Sequence, residues 1–105
     1  MQMINLHSAR DGYVRFAYYL RSIHMDIDQL KSLKKIIGTK QTQKGISRGE
    51  VTYVFLAHDG DERMTMPVRA LCEEYNIPLN DQHTMDALGR ACRIKVKATA
   101  VSVLR

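Results

Sequence analysis

Val51-Thr52-Tyr53-Val54-Phe55-Leu56-Ala57 is nearly continuously apolar and rich in β-branched and aromatic residues. A strand with one wet face alternates apolar and polar side chains, so this run reads as a strand covered on both faces. Its neighbours supply the covers. Upstream, residues 40–48 predict a helix that ends at Gly49 and is poor in apolar residues, with only Ile46 obviously buried. Before it, Gly38 turns the chain after a short buried strand at Ile36-Ile37, and Asp26 or Asp28 caps a first helix that aligns Ile27, Leu30 and Leu33.

Downstream the same alternation continues. Residues 58–61 read as a loop, and a helix follows from about Thr65, with Pro67 in its first turn and Val68, Leu71, Cys72 and Tyr75 at helical spacing. Asn76 ends that helix, residues 77–79 form a short strand held extended before Pro78, Thr84 caps a helix over 85–92, and residues 98–104 make a last buried strand. The expected class is α/β: a three-layer α/β/α sandwich around a small mixed four-stranded sheet. With 105 residues, 45% of them hydrophobic, the chain has room for one packed domain.

Charge is distributed unevenly. Residues 31–49 hold Lys31, Lys34, Lys35, Lys40, Lys44 and Arg48 and no acid. Residues 50–86 hold eight acids against Arg63 and Arg69, and after Asp86 only bases occur: Arg90, Arg93, Lys95, Lys97 and Arg105. If the fold joins the two ends, the molecule is electrically two-faced, and its basic face suits a polyanion. Within the first basic run, Gly38-Thr39-Lys40-Gln41-Thr42-Gln43-Lys44 combines a glycine that admits a close backbone, a threonine placed to cap the following helix, and long polar side chains at the helix's positive end. Such an end holds phosphate oxygens with its amides and reaches base edges with its side chains.

Other chemistry is weakly supported. Cys72 and Cys92 lie on apolar helical faces and form no metal-type pair, which reads as reduced core thiols of a cytosolic protein. His58, Asp59, Asp61 and His83 have no ligand spacing that requires a metal, and no cofactor is implied. Tyr53 and Phe55 read as core rather than a stacking platform, and Met64, Met66 and Met85 as gap fillers. No apolar run is long enough to span a membrane.

The first 24 residues differ from the rest, carrying Tyr13, Phe16, Tyr18 and Tyr19 without a clear period. Arg21-Ser22-Ile23-His24-Met25 can be encoded AGG-AGN-ATH-CAY-ATG, which places a ribosome-binding sequence just before Met25. Residues 1–24 are therefore expected to be a non-native or mis-annotated leader, poorly ordered, with the domain over 25–105; a cloning scar at His24-Met25 is the rival account.

Residues 25–105 resemble the kink-turn RNA-binding ribosomal-protein family named after archaeal ribosomal protein L-seven-Ae, and within it the small bacterial members of the YbxF type. GTKQTQK at 38–44, RGEV at 48–51, VFLAHD ending at Asp59, LCEEYNIP at 71–78, LGRAC at 88–92 and IKVKATAVSVL at 94–104 carry the likeness, in the family's order. The resemblance implies a non-enzymatic, cytoplasmic, monomeric module that binds a kink-turn, a sharply bent RNA duplex held by sheared G·A pairs beside a short bulge, with ribosomal RNA and the ribosome as its wider partner. Carried over, Gly38 and Thr39 approach the RNA backbone, Lys40 and Gln41 contact guanine edges and phosphates, and Lys44 with Arg48 reinforces them. Ile94 and Val96 cover the extruded bulge nucleotide, while Arg93, Lys95 and Lys97 attract phosphate.

The chain departs from the family in places. Archaeal and eukaryotic members usually have Asn-Glu where Lys40-Gln41 stand, although the bacterial branch shares the Lys-Gln pair. The family favours glycine at Arg93 and Lys97 and an acid at Lys95, and a non-glycine in a left-handed helix end costs on the order of 1 kcal/mol. More bases also make binding more salt-sensitive. A basic protein-interaction or ribosome assembly factor without kink-turn specificity is the alternative, and a thiol enzyme working through Cys72 or Cys92 a third reading. The leader account has its own check: mass spectrometry of the natively expressed protein is expected to find an N-terminus at Met25, and an intact Met1 would overturn it.

Overall fold

The computed structural model describes residues 25–105. The leader expectation concerns residues outside that range. The described chain runs as one 3₁₀ turn (Ile27–Lys31), β1 (Lys35–Ile37), α1 (Thr39–Ser47), β2 (Val51–Leu56), α2 (Glu62–Glu74), β3 (Leu79–Asn80), α3 (Met85–Ala91) and β4 (Ala100–Leu104). The sheet order is β1-β4-β2-β3, with β4 antiparallel to both β1 and β2, and β3 parallel to β2. This is the mixed four-stranded sheet between helical layers that the alternating pattern predicts.

Two apolar clusters flank the sheet. Tyr53, Phe55, Val101 and Val103 pack with Leu30, Leu88 and Cys92, so the 3₁₀ turn and α3 cover one face. Val54, Leu56 and Ala100 pack with Ile46, Val68 and Cys72, so α1 and α2 cover the other. β2 is thus apolar on both sides as its sequence demands. Its one irregularity lies between Val51 and Tyr53, where the register with β4 shifts. That shift lets Val51 join the cluster of Val54 and Leu56 and leaves Thr52 exposed.

Several boundaries differ from expectation. The first helix is a single 3₁₀ turn, closed by a capping box between Asp26 and Gln29, and Leu30 alone in it is fully buried. α2 begins at Glu62 rather than near Thr65, because Asp61 accepts the Arg63 amide at 2.9 Å and starts the helix earlier. Pro67 consequently sits beyond the first turn. Residue 77 does not open a strand: its amide donates to Cys72 O at 2.8 Å to finish α2, and pairing with β2 is delayed to Leu79 and Asn80. β4 starts at Ala100 because the Ala98 amide is taken by Met85 O at 3.1 Å. Met85 packs partly buried against the core, whereas Met64 and Met66 are 46% and 62% exposed and fill no gap.

The three helices of the described chain end by the same device, with a left-handed residue just past the cap. Those residues are Gly49 (φ 73), Asn76 (φ 57) and Arg93 (φ 60). In each, the next amide reaches back to the helix: Glu50 N to Gly45 O, Ile77 N to Cys72 O and Ile94 N to Gly89 O. Glycine and asparagine tolerate this conformation; arginine does so at a cost. Lys97, the other site of a family glycine, has no positive φ. Arg93→Gly is expected to stabilise the fold by about 1 kcal/mol, read as a raised urea midpoint at unchanged slope.

Candidate nucleic-acid interface

β1, β2 and β3 run one way and β4 the other, so three helix starts and the loop leading into β4 meet at one end of the sheet. The Gly38 amide donates to Ala100 O at 2.9 Å, which joins the β1–α1 turn to the first residue of β4, where that loop ends. Segments far apart in sequence thus touch in the fold.

The three helix starts are chemically unlike. In α2 the Asp61 carboxylate accepts the Arg63 amide, and the Arg63 guanidinium holds that carboxyl below the usual range. In α3 the Thr84 hydroxyl accepts the Ala87 amide at 3.1 Å, and Asp59 accepts the Met85 amide at 2.9 Å. α1 has neither device: its cap residue is Gly38, no side chain caps it, and its first turn contains no acid. The amides of Thr39, Lys40 and Gln41 have no acceptor among the described residues. The positive end of this helix is therefore free to meet an external anion.

Thr39 corrects an expectation. It is the first residue of the helix, buried against the sheet rather than capping, because Gly38 already occupies the cap position with φ 120 and ψ 150. That conformation is essentially restricted to glycine. Thr39, Thr42, Gly45 and Ile46, at i, i+3, i+6 and i+7, form the buried face, so Ile46 is not alone. The opposite side presents Lys40, Gln41, Lys44 and Arg48, all exposed. None of these bases, nor Arg93, Lys95 or Lys97, forms an ion pair among the described residues, whereas Arg63, Arg69 and Arg90 are paired with Asp61, Asp81 and Asp86.

The 94–97 loop contributes unequally. Ile94 is partly buried and packs against the core, while Val96 is 69% exposed between exposed Lys95 and Lys97. Gly89 in α3 lies under this loop, a contact that sequence reading missed; a glycine inside an otherwise good helical pattern was the available signal.

Neither cysteine of the described chain is activated. Burial pushes the Cys72 thiol up to about 12, partly offset by Arg69, and raises the Cys92 thiol as well, partly offset by Lys35, so neither is a ready thiolate. No group of three His, Cys, Asp or Glu side chains converges among the described residues. No helix of the described chain is long and apolar enough to cross a membrane.

The described fold and this site define a small α/β module with an uncapped basic helix start and a basic loop that exposes Val96. A family model described as the ribosomal protein L7Ae/L30e/S12e/Gadd45 family matches residues 22–105, and the chain belongs to that family. It is 42% identical over 76 residues to the RNA-binding protein YbxF of Geobacillus stearothermophilus, covering 72% of this chain and 93% of that protein. An RNA-binding protein of Bacillus pumilus is 37% identical over 78 residues, covering 74% of this chain and 93% of that protein. Among solved structures, the 15.5kD RNA-binding protein of Giardia lamblia superposes with a TM-score of 0.65 at 20% identity, covering all of this chain and 80% of that one, which speaks to the fold alone.

The glycine requirement at the helix start can be measured. Gly38→Ala is expected to cost about 2 kcal/mol in urea unfolding, because alanine resists that backbone conformation and its Cβ would meet the Gln41 side-chain carbonyl group.

Proposed function

We propose that this protein is a non-enzymatic RNA-binding module that recognises and stabilises kink-turns, acting in the cytoplasm as a monomer on or near ribosomal RNA. The observation that carries the reading is the Gly38–Ala100 hydrogen bond, which ties the uncapped basic start of α1 to the start of β4, the strand into which the loop bearing Val96 leads. A kink-turn offers a matching pair of features: an opened major groove at sheared G·A pairs, and an extruded nucleotide next to it. Ordinary A-form duplex offers neither, since its major groove is too narrow for side chains to read.

In this mechanism Gly38 keeps the turn free of a side chain, and the free amides of residues 39–41 meet phosphate oxygens. Lys40 and Gln41 reach guanine edges from the first turn. Lys44 and Arg48 extend the basic side by successive helical turns and contribute phosphate attraction. Val96 covers the extruded base, with Ile94 supporting the loop from the core side and Arg93, Lys95 and Lys97 adding charge. Thr39 acts through its backbone, its side chain being buried. Affinity for the bent form alone shifts a pre-existing RNA equilibrium toward it. The names of the bacterial relatives support RNA as the ligand.

Titration of the full chain against a labelled kink-turn, beside the same RNA with both sheared G·A pairs replaced by Watson–Crick pairs, tests the reading. Preferential binding to the first is expected, and equal binding would overturn kink-turn recognition in favour of a merely basic docking face. Lys40→Ala and Gln41→Ala should reduce the preference, whereas Lys44→Ala should weaken both RNAs alike and lower the salt slope by about 1.

A further inference from the structure

We infer that Gly89 is a positioning residue that sets the 94–97 loop and thereby the protein's sensitivity to an extruded base; the inference rests on the kink-turn reading above. Gly89 is buried within α3, where glycine is about 1 kcal/mol less favourable than alanine in a helix interior. Its missing side chain permits direct contact between two backbones. A Cβ built on Gly89 would meet the Val96 carbonyl oxygen, with the Val96 carbonyl carbon and Lys97 Cα each at 3.2 Å. Because the obstacle is backbone, no rotamer change relieves it.

The same residue holds the loop a second time, since Gly89 O accepts the Ile94 amide at 3.1 Å. The Arg93 amide donates to Arg90 O at 3.0 Å and the Ala98 amide to Met85 O at 3.1 Å, so both ends of the loop are also fastened to α3. Ile94 is thereby turned toward the core and Val96 outward. An apolar side chain exposed on a backbone fixed at these points is a preformed platform, and a base that settles on it need not order the loop first. Adding a methyl group at Gly89 lifts the loop from α3 and moves Val96 while leaving every RNA-facing side chain chemically unchanged.

The test compares the wild-type chain with Gly89→Ala on two labelled kink-turns, one intact and one abasic at the bulge nucleotide. Wild type is expected to favour the intact RNA by about tenfold, the scale of one base contact, and the variant to lose most of that ratio while keeping its dependence on the sheared G·A pairs. A purely structural weakening would lower both affinities and preserve the ratio. Inserting one glycine between Lys97 and Ala98 frees the loop without adding atoms to α3, so it decides the matter if Gly89→Ala does not fold; the same collapse of the ratio is expected. The inference is overturned if wild type is indifferent to the abasic change, or if the folded variants keep the full ratio. Failure of wild type to prefer the kinked RNA over its Watson–Crick control would instead bring down the functional reading itself.

Discussion

The Thr42 and Ser102 hydroxyls meet at 3.2 Å, both fully buried, and Ser102 in turn lies 3.4 Å from Ile36 O. This short chain of hydroxyl contacts crosses from α1 through β4 to β1. It matters because α1 has only one large apolar anchor, Ile46, and a helix held by so little greasy surface could settle on the sheet in several rotations. A hydroxyl left without its partner in such an interior costs about 1–3 kcal/mol, so only one rotation of the helix is favoured. The rotation that joins Thr42 to Ser102 is the one that turns Lys40, Gln41 and Lys44 to solvent. The orientation of this basic face therefore depends on a polar contact within the core.

The same constraint explains which parts of the chain were legible. The run at 51–57 could be read as a doubly covered strand because aliphatic and aromatic residues declare burial without ambiguity. Thr84, Gly49 and Asn76 were legible because their side chains, or lack of one, act within a few residues of where they stand. The buried face of α1 was hidden because threonine and glycine count as polar or neutral in any hydropathy pattern, and only the third dimension reveals Ser102 waiting opposite. Asp61 reads as the end of a loop, although its carboxylate is a good helix start.

The candidate site divides along similar lines. The basic residues and Gly38 stood out through local composition and family likeness, and the structure ties the start of the first basic helix to the start of β4 through the Gly38 amide and Ala100 O. The fate of Ile94 and Val96 could not be told from sequence, since two apolar residues in a basic loop look alike until one is seen against the core. Likewise, no local feature announces that Arg93 takes a left-handed backbone; arginine is a poor choice there, and its presence becomes intelligible only if its charge is useful to the loop it introduces.

The strand order has a consequence for how the molecule comes into being. β4 comes last of the described elements in chain order, yet it lies between β1 and β2 and is hydrogen-bonded to both. Until it is in place, β1 has no neighbour in the sheet and the Gly38 amide has no acceptor, so a nascent chain carries its basic helix without the frame that aims it. Contacts between segments so distant in sequence close late and carry a large loop-closure cost. Loss of β4, five residues long, removes the sheet's centre rather than its margin.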